Sequence, residues 1–160
     1  MKTIPFTNGP FMVNSYLLYD DVGVIIDPGH DCSEIIECIT ERKIEIKAVI
    51  LTHGHIDHVA GVNYARNAFD GIKVYMNHND IDLINNLKFQ AKMFSLPAPP
   101  EVVVDEFIKD NETLNFGNLS IKCLYTPGHS DGSMSFVCGN QVFSGDILFR
   151  ESVGRTDLFG

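Results

Sequence analysis

Positive charge is scarce in this sequence, and long apolar runs are absent. Only 12 lysine and arginine residues stand against 21 aspartate and glutamate residues, so the formal net charge is −9 at pH 7. That charge repels a nucleic-acid backbone or an anionic membrane surface, and no basic patch offsets it. No stretch approaches the roughly 18 apolar residues of a membrane span, and the opening residues carry no signal-peptide pattern. We therefore expect a cytoplasmic protein that binds neither nucleic acid nor membranes.

Paired cysteines and internal repeats are also missing. The four cysteines lie at positions 32, 38, 123 and 138 without a CxxC pair, which favours reduced, mostly buried thiols over a disulfide framework. The only linker-like stretch is SLPAPP at 95–100. Apolar residues make up 44% of the chain and continue into its last block. We therefore predict a single domain over residues 1–160.

Strand-like and helix-like segments alternate along the chain. Apolar runs bounded by turn residues predict strands at 11–19, 22–26, 46–52, 72–76, 119–125, 134–138 and 141–143. Helices are predicted from Cys32, from about His58 and from about His78. This interleaving of strands and helices indicates an α/β or α+β fold.

The segment THGHIDH at 52–58 holds three of the six histidines of the chain and follows directly on an apolar strand. Residues two apart in an extended chain point to the same side, so His53 and His55 can reach one point beyond the strand end. Asp57 and His58 fall where a helix begins, which turns them toward a neighbouring point. This geometry suits two metal ions side by side. The competing interpretation is a set of surface histidines with Asp57 as a helix cap.

Two later turns supply the same ligand types. His129 lies in YTPGHSDGS and Asp146 in VFSGDILF, each just after a strand-like run. Alone, each would be an ordinary turn residue, but together with the histidine cluster they complete a plausible ligand set. Imidazoles and carboxylates suit Zn(II) and also Fe or Mn, so the ligand types leave the metal open.

These motifs resemble the metallo-β-lactamase-fold hydrolases, and within them the glyoxalase II-like branch. The resemblance rests on THGHIDHVAG, TPGHSDGS, SGDILF and SVGRTDL, together with NSY at 14–16 and DPG at 27–29. It implies a four-layer αββα sandwich with the metals at one edge of the sheets. It also implies a two-zinc centre in which His53, His55 and His129 hold one ion, Asp57 and His58 help hold the second, and Asp146 bridges them.

The resemblance implies a hydrolase. A water held by such metals has its pKa lowered to about 7, which gives a hydroxide that can attack an acyl carbon. A small glutathione-type thioester is the expected substrate, and Asp57 is a candidate proton shuttle. The GRTD ending also resembles iron-dependent persulfide dioxygenases, which need one iron held by two histidines and a carboxylate. A non-catalytic metal-binding module is the third hypothesis.

Members of this family continue past GRTDL and complete the second metal site with a last histidine, commonly in a GHG segment. This sequence ends at Gly160, so we expect a domain without its closing elements, as a fragment of a longer protein. The alternatives are a ligand from another chain or a single metal. An uncovered apolar face and strand edge would favour a homodimer through that edge.

Several other residues have two interpretations each. Arg155 and Asp157 either position substrate and brace the metal loop, or form a surface pair. The apolar residues Phe89, Met93, Phe94 and Leu96 form either a substrate lid or part of the core. His30 and His78 are candidates for the missing ligand, although exposed or capping roles fit them better.

Overall fold

The computed structural model describes residues 1–158 as an alternation of strands and short helices. The strands are β1 (Lys2–Asn8), β2 (Val13–Tyr19), β3 (Gly23–Ile26), β4 (Ile46–Ile50), β5 (Lys73–Asn77), β6 (Glu106–Ile108), β7 (Thr113–Phe116), β8 (Leu119–Tyr125), β9 (Met134–Cys138), β10 (Gln141–Phe143), β11 (Leu148–Phe149) and β12 (Ser152–Val153). The α-helices are α1 (Ser33–Arg42), α2 (Ile56–Val59), α3 (Val62–Ala68), α4 (Ile81–Asn85) and α5 (Leu87–Met93). Single 3-10 turns span His78–Asp80 and Gly145–Ile147.

Two sheets organise the molecule. The first has six strands in the order β1-β2-β3-β4-β5-β6, with antiparallel pairing from β1 to β3 and parallel pairing from β3 to β6. The second has four antiparallel strands in the order β10-β9-β8-β7. Strands β11 and β12 form a separate hairpin.

The first sheet is buried on both faces. Ile25 of β3 packs in a core shared with helices α1 to α5, whereas its neighbours Val24 and Ile26 pack in a second core against strands β8 and β9. Successive side chains of a strand point to opposite faces, so the continuous apolar run GVII serves both cores. The described residues therefore form three layers: helices, first sheet and second sheet.

The helix expected from about His58 is interrupted. Helix α2 ends at Val59 and α3 begins at Val62, because Gly61 lies against the DPG turn: its backbone N–H donates to the carbonyl of Gly29 at 2.6 Å. A Cβ on Gly61 would lie 2.9 Å from the carbonyl oxygens of Pro28 and Gly29, so only glycine fits this approach.

Strands β1, β6, β7, β11 and β12 lie where the sequence pattern predicted none. Strand β1 contains Pro5 and lies at the edge of its sheet, a position that tolerates a missing N–H donor. All four cysteines are buried and free. No helix among residues 1–158 is long and apolar enough to cross a membrane.

Of the four apolar residues ahead of the prolines, two are exposed and two pack against the helical core. Phe89 and Met93 of helix α5 are 56% and 45% exposed. Phe94 is half-buried and packs edge-to-face on Phe11, with ring centroids 5.4 Å apart. Leu96 is also half-buried and packs against the helical core.

Candidate metal centre

Three loops bring the six predicted ligands together. His53 and His55 follow β4, and Asp57 and His58 lie on the short helix α2 that comes next. His129 lies between β8 and β9, and Asp146 lies in the 3-10 turn after β10. The four histidines are buried, while the side chain of Asp146 is 26% exposed.

Three histidines form one group of candidate ligands. One nitrogen of each of His53, His55 and His129 lies within 4.8 Å of the other two. Nδ1 of His55 is 2.9 Å from Nε2 of His129, so both atoms face the same point. Three convergent imidazole nitrogens are a common donor set for zinc and similar ions.

A second group shares His53 with the first. It consists of His53, His58 and Asp146, again with ligand atoms within 4.8 Å of one another. Nε2 of His58 lies 3.2 Å from Oδ1 of Asp146, and Nε2 of His129 lies 3.6 Å from Oδ2. Asp146 therefore lies between the two groups. Oδ2 of Asp57 is 3.8 Å from Nε2 of His58, which places Asp57 beside the second group.

The electrostatic environment separates the histidines by protonation state. Desolvation, followed by repulsion from the neighbouring imidazoles, lowers the pKa of His53 well below 6.5. Burial also opposes the charge of His58, but the carboxylates of Asp27, Asp146 and Asp57 raise its pKa well above 6.5. Desolvation raises the pKa of Asp146, and the imidazole of His58 outweighs it and lowers that pKa overall. Without metal, the surroundings thus favour the charged form of His58 and the neutral form of His53.

The buried carboxylate of Asp27 orients two of the imidazoles. Its Oδ2 accepts hydrogen bonds from Nδ1 of His58 at 2.9 Å and from the hydroxyl of Thr52 at 2.6 Å, and its Oδ1 accepts from the Thr52 N–H. Because the Thr52 hydroxyl donates to Asp27, it accepts from Nδ1 of His53, 3.0 Å away. Both rings then carry their proton on Nδ1 and turn Nε2 toward the centre of the cluster.

The residues present fit a bound metal. Nε2 of His53 is buried and has no hydrogen-bond partner among residues 1–158, an arrangement that is costly unless something binds there. Imidazole nitrogens and carboxylate oxygens are the donors that zinc, iron and manganese accept. His30 and His78 lie outside both ligand groups, and the ring of His78 packs on Phe107 instead.

Sequence reasoning missed the residues that brace the ligand loops. Gln90 of α5 accepts a hydrogen bond from the Ile56 N–H at 2.9 Å and donates to the carbonyls of Leu83 and Gly54 at 2.9 and 3.3 Å. Asp27 stands in the DPG motif, which contributes to the family resemblance but assigns no role to this side chain. Asp80 carried no signal at all.

A cleft of about 810 Å³ opens beside the ligand cluster, within the usual range for small-molecule sites. Its walls include exposed apolar side chains from two regions: Phe11, Met12, Val142, Leu148, Phe149 and Val153.

The carbonyl of Arg155 accepts a hydrogen bond from Nδ1 of His129 at 2.9 Å. The guanidinium of Arg155 pairs with Asp157 at 2.7 and 2.9 Å, both side chains being exposed. Arg155 therefore braces the metal loop through its backbone and forms a surface pair through its side chain.

The fold and this cluster define a metallo-hydrolase: a mixed sheet and an antiparallel sheet pack face to face, with a histidine-rich ligand set at the ends of their strands. Residues 8–160 match the metallo-beta-lactamase superfamily, and the chain belongs to that superfamily. The expected α/β class and metallo-β-lactamase fold are thereby confirmed. Residues 1–158 form three of the four layers of the expected αββα sandwich.

Relatives of the chain include enzymes named as hydrolases. It is 36% identical to the probable metallo-hydrolase YqgX of Bacillus subtilis, over 95% of this chain and 74% of that protein. It is 34% identical to hydroxyacylglutathione hydrolase GloC of Haemophilus influenzae, over 99% of this chain and 76% of that protein.

Solved structures agree with the fold. The structure of BLEG-1 B3 metallo-beta-lactamase superposes with a TM-score of 0.89 at 31% identity, covering 98% of this chain and 78% of that one. The structure of TTHA1623 in a di-iron-bound form gives a TM-score of 0.83 at 34% identity, covering 97% and 77%.

Proposed function

We propose that this chain is a metal-dependent hydrolase that cleaves a small acyl substrate, a thioester of the glutathione type. The observation that carries the proposal is the pair of overlapping ligand groups, joined by His53 and Asp146, beside a cleft of small-molecule size. The similarity to a protein named hydroxyacylglutathione hydrolase supports the thioester as the substrate class.

The ligand residues have distinct tasks in this proposal. His53, His55 and His129 would hold one ion, and His58 with Asp57 and Asp146 would hold a second, with Asp146 between the two. When bound, such ions lower the pKa of a coordinated water and supply a nucleophile at neutral pH. Zinc is the proposed metal, with iron or manganese compatible with the same donors.

Asp57 is proposed to carry a proton. Its side chain is 20% exposed, lines the cleft and lies beside His58, so it reaches both solvent and the ligand cluster. A thiolate is a stable leaving group near neutral pH, because thiol pKa values are about 8.5, so no strong general acid is required.

The apolar walls of the cleft fit the substrate's hydrocarbon portion. Phe11, which packs on Phe94, lines the cleft, and so do Leu148 and Val153 of the β11–β12 hairpin. These side chains would exclude water from the reacting carbonyl.

The test is turnover of lactoylglutathione by the protein loaded with zinc. His53→Ala and Asp146→Ala should abolish turnover, whereas His78→Ala, a histidine outside the ligand groups, should leave it unchanged. Full activity in either ligand variant contradicts the proposal. Oxygen consumption with glutathione persulfide and iron would replace it with the dioxygenase, and metal binding without any turnover would replace it with a binding module.

A further inference from the structure

The carboxylate of Asp80 is fully buried and lies between two ligand loops. Its Oδ2 accepts hydrogen bonds from the Gly54 N–H at 2.9 Å and from the Ser130 hydroxyl at 2.7 Å. Its Oδ1 accepts from the Gly132 N–H at 2.5 Å. One side chain thus takes three donors from two segments that are far apart in sequence.

Two of those three donors are immediate neighbours of candidate ligands. Gly54 lies between His53 and His55, and Ser130 follows His129 directly. The Ser130 hydroxyl also lies 2.8 Å from the Ser133 hydroxyl, and this hydrogen bond stabilises the loop between β8 and β9. Asp80 therefore connects the two loops that carry the three histidines of the first ligand group.

The two glycines show how closely the loops approach Asp80. A Cβ on Gly132 would lie 2.6 Å from Cγ of Asp80. A Cβ on Gly54 would lie 3.0 Å from the backbone oxygen of Asp80 and 2.8 Å from Cβ of Leu83. Contacts this short leave no room for a side chain, so both loops pack directly on the aspartate.

An aspartate at this place in a chain has a simpler role, which the structure excludes. Asp80 is the N-cap residue of helix α4, and an N-cap carboxylate ordinarily accepts from the first N–H groups of its own helix. Here the side chain makes no such bond and points at the ligand loops instead. No cation pairs with Asp80 among residues 1–158, so its burial is a poor source of stability by itself.

We propose that Asp80 is a positioning residue of the metal centre, which fixes the His53–Gly54–His55 turn relative to His129 and thereby sets the affinity of the first metal site. This inference rests on the proposed metal-dependent function. Residues that hydrogen-bond to metal ligands or to their loops typically contribute about 10- to 100-fold to metal affinity.

The test measures the zinc affinity of the full chain by competition with a chelator, together with the melting temperature of the metal-free protein. Asp80→Asn should weaken zinc binding by about 10- to 100-fold. Ser130→Ala, which removes one of three donors, should weaken it less, and the double variant should be no weaker than Asp80→Asn alone because both changes break the same connection. The matched control is Asp82→Asn, since among the described residues the Asp82 carboxylate accepts no hydrogen bond; its zinc affinity should be unchanged.

The spectrum of the cobalt-substituted protein supplies a readout that a purely structural role would not move. Asp80→Asn should alter the cobalt absorption bands, and Asp82→Asn should not. If Asp80→Asn does not fold, Ser130→Ala decides the question by the same two measurements. Unchanged zinc affinity and cobalt spectrum in the folded variants would overturn the proposal, even if their melting temperatures fall.

The outcomes also separate this inference from the proposed hydrolase. Normal zinc binding by the parent chain without turnover of any acyl substrate contradicts the hydrolase and leaves the role of Asp80 intact. Turnover by the parent chain with unchanged zinc affinity in the variants contradicts the role of Asp80 alone. A parent chain that binds no zinc, iron or manganese overturns both.

Discussion

Replacing Asp27 by asparagine should weaken metal binding without greatly changing the shape of the protein. The side chain is buried and its two oxygens take three hydrogen bonds. Asparagine keeps one acceptor oxygen for the Thr52 N–H but replaces the other by an NH₂ group. The Thr52 hydroxyl can rotate to accept from that group, whereas Nδ1 of His58 loses its acceptor.

The magnitude follows from that single loss. A hydrogen bond to a charged group contributes about 1.5–3 kcal/mol, and about 1.4 kcal/mol corresponds to a tenfold change in an equilibrium constant. We therefore expect zinc affinity to fall by about 10- to 100-fold. Without the carboxylate, His58 is free to place its proton on Nε2, the atom that faces the ligand cluster, and in that tautomer Nε2 cannot bind a metal.

The pH dependence gives this prediction a sharper form. The Asp27 carboxylate helps to raise the pKa of His58, so its removal lowers that pKa and reduces competition from the proton. At a pH where His58 of the parent protein is protonated, this weaker proton competition partly offsets the zinc affinity that is lost with the orientation of His58. The offset disappears once the pH exceeds the pKa of His58 in the parent protein. The loss of zinc affinity in Asp27→Asn should therefore be larger at high pH than at neutral pH.

The assay is chelator competition over a pH series, with Asp70→Asn, an exposed turn aspartate, as the matched control. The control should follow the parent protein at every pH. Equal zinc affinity for Asp27→Asn and the parent protein at high pH would refute the assignment of Asp27 as the group that orients His58.

Three further outcomes are expected. In the metal-free protein, nitrogen-edited NMR at neutral pH should show His58 as an imidazolium and His53 as a neutral ring. Zinc affinity should then rise with pH, because His58 must release its proton before it binds the metal. A neutral His58 at neutral pH would contradict this prediction. Burial raises the pKa of Cys32 to about 12, so iodoacetamide should modify this thiol only after denaturation, as mass spectrometry of the native and unfolded protein can establish. Phe136→Ala should lower the free energy of unfolding by about 3–5 kcal/mol in urea titrations, because Phe136 is fully buried between the two sheets, whereas the exposed Phe89→Ala should have a much smaller effect.

The second sheet was largely predictable because its strands are short apolar runs between turn residues. The predicted segments 119–125, 134–138 and 141–143 match β8, β9 and β10 residue for residue. Strand β1 was not predicted, since Pro5 and the half-exposed pattern of KTIPFTN resemble a loop. The interruption at Gly61 could not be predicted from periodicity, because it depends on contact with the DPG turn, which lies more than thirty residues away in sequence.

The candidate ligands and their supporting residues differ in how far a sequence can reveal them. The ligands follow strand ends at recognisable spacings, whereas a hydrogen bond between distant segments leaves no periodic trace. Gln90 is nevertheless an informative exception. It lies at the i+3 position from Leu87 and next to Ala91, on the one buried stripe of helix α5, where the helical pattern calls for an apolar side chain. A polar residue in such a stripe must find partners inside the protein, and Gln90 finds two of them in the backbone around His53 and His55. A polar side chain that breaks an apolar stripe therefore indicates a residue that supports a site, even though it does not identify which loop it supports.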